Sequence, residues 1–282
     1  MSSNRSSVDD HGSAPLPEDL AEAFASARPR LGRLGTSVTY FPVIGSTNDI
    51  AATLAIHSAH EGAIVIADTQ TAGRGRRGRE WFSPPGSGLY VSVVLRPGQS
   101  LGGSGDRATR LLTLAAGVAL VEAVETATGL GVDLKWPNDL YVARRKLAGI
   151  LAEATGGPDE PIVLGYGINV GAAAYPHELR DRATSLESEL GRPVDRALLL
   201  AESLASLARR YDDLLGGRFD AILDAWRARA PGSTGARVAW TTAATASEAV
   251  SGVTAGIDED GALLVLVGDR VERIVAGEVT WL

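Results

Sequence analysis

Residues 71–81 read T-A-G-R-G-R-R-G-R-E-W. Gly73, Gly75 and Gly78 alternate with Arg74, Arg76, Arg77 and Arg79, and Trp81 closes the run. Glycine weakens the interior of helices and strands, so this segment is a loop. Its backbone N–H groups can approach an anion closely, and guanidinium forks grip phosphate or carboxylate oxygens two at a time. Four cations this close repel one another in isolation, so the loop is expected to order around an anionic ligand. The run lacks the Gly-Lys-Ser/Thr ending of a P-loop. Trp81-Phe82-Ser83-Pro84-Pro85 follows where a dinucleotide fingerprint would open a helix. A solvated basic loop is the competing reading.

A second constellation is K-W-P-N-D-L-Y-V-A-R-R-K-L-A-G-I-L, residues 135–151. Lys135 and Lys146 are the only two lysines in the chain, which otherwise uses arginine for its positive charge. With Asn138 and Asp139 they fall in a strand-turn-strand unit, where alternation can aim several side chains at one spot. A carboxylate and an amide beside two ammonium groups suit a metal-bound triphosphate, with Asp139 for Mg²⁺ and the lysines for phosphate oxygens. An ordinary hairpin with a proline bend is the alternative. Ser46-Thr47-Asn48 in G-S-T-N-D-I-A-A is fully explained as a helix N-cap, and the same groups can hydrogen-bond a small polar ligand. G-Y-G-I-N-V-G, residues 165–171, is either a closely packed strand or a ligand-site wall. His11, His57, His60 and His177 suggest no catalytic role, and Gly86-Ser87-Gly88 has the wrong spacing for a nucleophile elbow. Absence of cysteine excludes disulfides, thiolate metal sites and a cysteine nucleophile.

These groups must be positioned by a chain of 282 residues with net charge −7, of which 45% is hydrophobic and 22% charged. Such a balance opposes a broad nucleic-acid or membrane-surface interface. The length suits one large domain and a small one. No signal peptide is read at the N-terminus. The apolar run 111–124 falls short of a membrane span and is interrupted by Thr113 and Glu122, so it reads as a buried helix. Strands are predicted near 38–44, 62–68, 88–97, 132–136 and 160–171. Helices are predicted from the 46–48 cap and over 107–128, 195–215 and 217–230, and the hairpin is expected to turn at Arg144-Arg145. A short helix fits within 17–32. After Pro231-Gly232-Ser233 the chain becomes short β-rich runs punctuated by Gly and Asp, a small barrel-sized module.

In this order S-T-N-D, Q-T-A-G-R-G-R-R-G-R-E-W, K-W-P-N-D, R-K-L-A-G-I-L and G-Y-G-I-N resemble the biotin protein ligases, over residues 45–171. The resemblance implies an α+β fold: a central mixed β-sheet with flanking helices, similar to class II aminoacyl-tRNA synthetases, then an SH3-like β-barrel. It implies that ATP and biotin are substrates, with Mg²⁺, and that biotinyl-5′-AMP is formed and its biotin passed to a lysine of a biotin carboxyl carrier protein. Ser46, Thr47, Asn48, Gln70, Arg74, Gly75, Arg76, Lys146 and Gly149 would line the biotin site. Arg74, Arg76, Arg79, Trp81, Lys135, Asn138 and Asn169 would serve ATP, Trp81 near the adenine. Lys146, Arg76 and Lys135 would be catalytic, and Asp139 would hold the metal. A lipoate ligase shares the chemistry but has a different glycine-rich signature ending in His-Asp, absent here.

The expected organisation is a weakly ordered segment over 1–30, a ligase domain over 31–232 and the β module over 233–282. About forty mostly polar residues precede the first strand, so no operator-binding repressor role is expected. The protein is expected to be cytoplasmic, without DNA or membrane partners, and a homodimer is compatible with the family.

Overall fold

The computed structural model describes residues 12–57, 60–98, 105–156, 160–173, 175–241, 249–277 and 279–282. A seven-stranded sheet runs in the order β1-β2-β3-β7-β6-β5-β4. Its strands are β1 (Val38–Phe41), β2 (Ile64–Ala67), β3 (Gly88–Leu95), β4 (Asp133–Lys135), β5 (Asp139–Val142), β6 (Arg145–Ala154) and β7 (Ile162–Asn169). Only β1 and β2 are parallel; every other pair is antiparallel. The expected mixed sheet is thus present.

Period-two alternation divides each strand between two faces. On β7, Ile162, Leu164, Tyr166 and Ile168 join the main core, leaving Val163, Gly165, Gly167 and Asn169 on the opposite face. That core is covered by α3 (Gly105–Thr128) and α5 (Arg196–Leu215), with α1 (Glu18–Ala27) packed on α5. Between β7 and α5 the chain also forms the short α4 (Leu186–Leu190), and α6 (Phe219–Ala228) follows α5. The apolar run expected as a buried helix lies in α3. Asp106–Thr128 is long and apolar enough to cross a membrane by length and composition, yet is mostly buried here. The opposite sheet face is covered only in part, by α2 (Thr47–His57), whose Ile50, Ala51 and Ala55 pack on Phe41, Val65, Val94 and Val163. The uncovered remainder is floored by glycine.

Glu122 of α3 binds Arg209 and Arg210 of α5. Burial would raise its carboxyl pKa, but hydrogen bonds from Arg210 and Arg209 outweigh burial and lower it. Its contribution to stability is therefore present above the ordinary carboxylate range and lost as pH falls through the lowered pKa. Glu122→Gln should destabilise the fold by about 2 kcal/mol at neutral pH. Urea titrations at pH 7 and at pH 3 should show that difference shrinking in acid.

The second sheet, in the order β11-β10-β9-β8-β12, is five-stranded and antiparallel, as expected for an SH3-like module. It comprises β8 (Thr234–Trp240), β9 (Val250–Ile257), β10 (Leu263–Val267), β11 (Arg270–Ile274) and β12 (Val279–Trp281). Its β9–β10 turn clasps the first domain. The Trp136 indole N–H donates to the Gly261 carbonyl at 2.9 Å, and Arg110 pairs with Asp260 at 3.1 Å. Gly261 has φ +79, and a Cβ there would lie 2.6 Å from Leu114 Cδ1, so only glycine fits this turn.

Two expectations change. The weakly ordered segment placed over 1–30 is too long. Ala14 bridges Tyr40, Leu20 and Ala27 are buried, and Arg30 forks onto Glu202 at 2.8 and 2.9 Å, so the structured domain starts before residue 31. Residues 1–11 lie outside the described residues. The hairpin turns one residue earlier than expected, at Ala143 and Arg144, both left-handed (φ 46 and 68).

Candidate active site

The site is built on the glycine-floored face. Gly165 lies opposite Ser92 of β3 and Leu151 of β6, and Gly167 opposite Gly149 of β6. A Cβ at Gly165 would lie 1.9 Å from Asn48 Oδ1; one at Gly167 would lie 2.6 Å from the Trp81 indole nitrogen. The glycines thus let the start of α2 and the arginine-rich loop reach the sheet itself.

Polar groups at the inner end form a connected chain. The Thr47 N–H and hydroxyl both donate to Gln70 Oε1 (2.9 and 3.1 Å), and Gln70 Nε2 donates to Ser83. Ser92 Oγ lies 2.8 Å from Thr47 Oγ1 and 2.6 Å from Asn48 Oδ1. Asn48 Nδ2 donates to Glu153 Oε2 at 2.9 Å. Ser46, Thr47 and Asn48 are buried, so their side chains serve more than an exposed helix cap. Gln70, Arg74, Gly75, Arg76, Lys146 and Gly149 complete the lining of this inner cavity.

Register places the second constellation on the same face. Asp139 pairs with Gly149, and Lys135 with Asp139. Plain alternation would send Lys146 to the opposite face, with Ala148 and Ile150. The register shifts, however: Leu140 pairs with Ala148 and Tyr141 with Lys146, leaving Leu147 as the extra residue of a bulge. The bulge turns Lys146 to the glycine face, where its ammonium pairs with Asp139 Oδ1 at 2.6 Å and sits 5.3 Å from the Trp81 ring centre.

An outer, larger cavity adjoins the inner one. Arg76, Arg77, Arg79, Lys135, Lys146 and Arg182 line it against only Glu80 and Asp139, so a net-acidic protein presents here a positive basin. Gly75, Arg76, Trp81, Asn138 and Lys146 border both cavities. The Trp81 indole N–H is buried without a hydrogen-bond partner among the described residues. Burial pushes the Tyr175 phenol up to about 12, so it lines the outer cavity as a neutral group.

Every residue selected from sequence for the biotin and ATP sites lines one or both cavities. Arg74 borders only the inner cavity, where it pairs with Asp49 and Glu153. Trp81 forms the wall between the cavities rather than a platform on the outer side alone. Asn138 donates to the Ile150 carbonyl at 2.8 Å and accepts from Arg76 at 3.1 Å, holding that arginine over the site. Asn169 donates to the Thr184 carbonyl at 2.9 Å and so ties β7 to the following loop. Sequence reading missed Ser92, Glu153, Tyr175 and Arg182. Ser92 alone left a trace, as the polar residue in the otherwise apolar 89–95.

The sequence model of the Biotin/lipoate A/B protein ligase family matches residues 40–169. The chain is 37% identical over 251 residues to the bifunctional ligase/repressor BirA of Bacillus subtilis, covering 87% of this chain and 74% of that protein. It is 35% identical over 247 residues to a biotin–[acetyl-CoA-carboxylase] ligase of Mycobacterium tuberculosis, covering 84% and 86%. Among solved structures it resembles the biotin protein ligase of Aquifex aeolicus in complex with biotin and ATP. There the TM-score is 0.72 at 28% identity, over 87% of this chain and 98% of that one.

Proposed function

The chain belongs to the biotin protein ligase family, and from that premise we infer a two-step ligase that activates biotin with ATP and transfers it to a biotin-dependent carboxylase. The observation that carries this is the meeting of a small polar cavity and a cationic one at Lys146, Arg76 and Trp81. Biotin lies in the inner cavity, its ureido group among Ser46, Thr47 and Asn48 and its carboxylate toward Lys146. ATP lies in the outer one.

In the first step a biotin carboxylate oxygen attacks the α-phosphorus and the bond to the β-phosphate oxygen breaks, releasing pyrophosphate. Two anions meet, so the barrier is electrostatic, and cations fixed at the developing charge lower it. Lys146 faces the reacting oxygens; Arg76, held by Asn138, and Lys135 face the phosphates. In the second step the acceptor lysine's neutral amine attacks the acyl carbon and AMP leaves. No protein nucleophile takes part. The arginine-rich loop and Trp81 shield the mixed anhydride from water between the steps.

Among the described residues no three acidic or histidine side chains cluster as a metal cage. Mg²⁺ bound to a nucleotide needs only one or two carboxylates beside phosphate oxygens, which Asp139 can supply. The metal would neutralise phosphate charge there.

Purified protein with Mg²⁺ and ATP should release pyrophosphate when biotin is added and not with lipoate. It should then label a single lysine of a biotin carboxyl carrier domain. Release with lipoate alone would move the specificity, and release with neither acid would remove the reaction. We further read the chain as a cytoplasmic ligase without an operator-binding role, in keeping with its net charge of −7. A gel shift with the biotin operon control region tests that role. Sedimentation with and without biotin and ATP tests the homodimer.

A further inference from the structure

The carboxy-terminal strand of the second sheet ends beside the outer cavity. Gly277, Val279 and Thr280 line that cavity, and Trp281 sits next to Lys135. The Lys135 ammonium lies 5.1 Å from the Tyr141 ring centre and 5.4 Å from that of Trp281. The two rings are 6.2 Å apart at 32° to each other. Lys135 pairs across the ladder with Asp139, which makes Tyr141 its diagonal neighbour on the same face, within reach of a long side chain.

Trp281 is itself firmly seated. It pairs with Val238 on β8, and the next residue, Leu282, donates its N–H to the Arg237 carbonyl at 3.0 Å. Its ring lies over Gly232, where a Cβ would come within 2.4 Å of Cζ2. The Pro231-Gly232-Ser233 break between the domains is therefore shaped to receive this indole.

Lysine has a flexible four-carbon stem and needs outside contacts to hold its charge at one point. Aromatic faces attract an ammonium through the ring quadrupole and so fix its position. We propose that Trp281, together with Tyr141, is a positioning residue for Lys135, so that the last strand of the second domain sets how well the enzyme uses ATP. The proposal rests on the nucleotide reading of the outer cavity.

The test is biotin-dependent ATP–pyrophosphate exchange by the full chain carrying W281A, W281L, W281F or K135A. W281A and W281L should raise the KM for ATP about ten-fold, the size of a partly desolvated cation–π contact, with the KM for biotin within about two-fold of wild type. W281F, which restores a π face, should recover most of the loss. In the K135A background W281L should add nothing, because both changes remove one interaction. Y141L supplies a second probe of the same pair should W281A unfold. The proposal is overturned if W281L and W281F behave alike, or if W281L costs the same factor with and without Lys135. Absence of biotin-dependent exchange in the wild-type protein would instead overturn the ligase reading beneath it.

Discussion

Lys146→Ala should lower the rate of biotin adenylation by about a hundred- to a thousand-fold, the usual cost of removing one preorganised charge from a developing anion. The ammonium is aimed by the Leu147 bulge, paired with Asp139 at 2.6 Å and placed where the two cavities meet. Removal also leaves the Asp139 carboxylate facing the phosphates without that partner, so its negative charge is no longer offset there. Lys146→Arg should recover little. The space beside Gly149 is narrow, with Lys146 Nζ 3.3 Å from where a Cβ would stand, and a planar fork does not replace a compact ammonium. Single-turnover formation of biotinyl-5′-AMP at saturating biotin and ATP isolates this step from transfer. A wild-type rate in Lys146→Ala would take the residue out of the chemistry.

Gly165→Ala should weaken biotin binding by about a hundred-fold, although the residue offers no side chain to any ligand. The added methyl would come within 1.9 Å of Asn48 Oδ1, an atom already bound by Ser92 at 2.6 Å. Asn48 must turn away, giving up its bonds to Ser92 and Glu153. In the complex, a biotin polar group left unpaired by the displaced amide costs about 1–3 kcal/mol, the upper end of which is the hundred-fold scale. Isothermal titration with biotin measures the loss. The double variant Gly165→Ala/Asn48→Ala separates the causes, because it removes the clash without restoring the amide. Its melting temperature should recover while its affinity stays low. Recovery of both would show that Asn48 acts only through packing.

Both predictions turn on how much chain chemistry is local. Loop, helix and strand types follow from residue type and spacing: the glycines and arginines of 73–79 specify a loop, and the apolar stretch after Arg110 specifies a buried helix. The ligand chemistry was legible for the same reason, since arginine forks, the only two lysines and a lone aspartate have few other uses together. For GYGIN the sequence left a packed strand and a ligand-site wall open, and alternation along β7 makes it both, with Tyr166 and Ile168 in the core and Gly165, Gly167 and Asn169 on the site face.

Tertiary structure decided what alternation cannot. Lys146 and Gly149 differ by an odd number of residues and belong on opposite faces of a regular strand. The bulge at Leu147 brings them together, and a bulge arises from pairing with β5, not from the local sequence. Arg74 and Arg76 are equivalent by composition, yet one is bound by Asp49 and Glu153 and the other by Asn138, partners far away along the chain. Trp281, some 146 positions from Lys135, reaches it only because the second sheet folds back on the first domain. Residue chemistry is carried by the chain itself; the direction in which each charge points is set by contacts between segments that the linear order keeps apart.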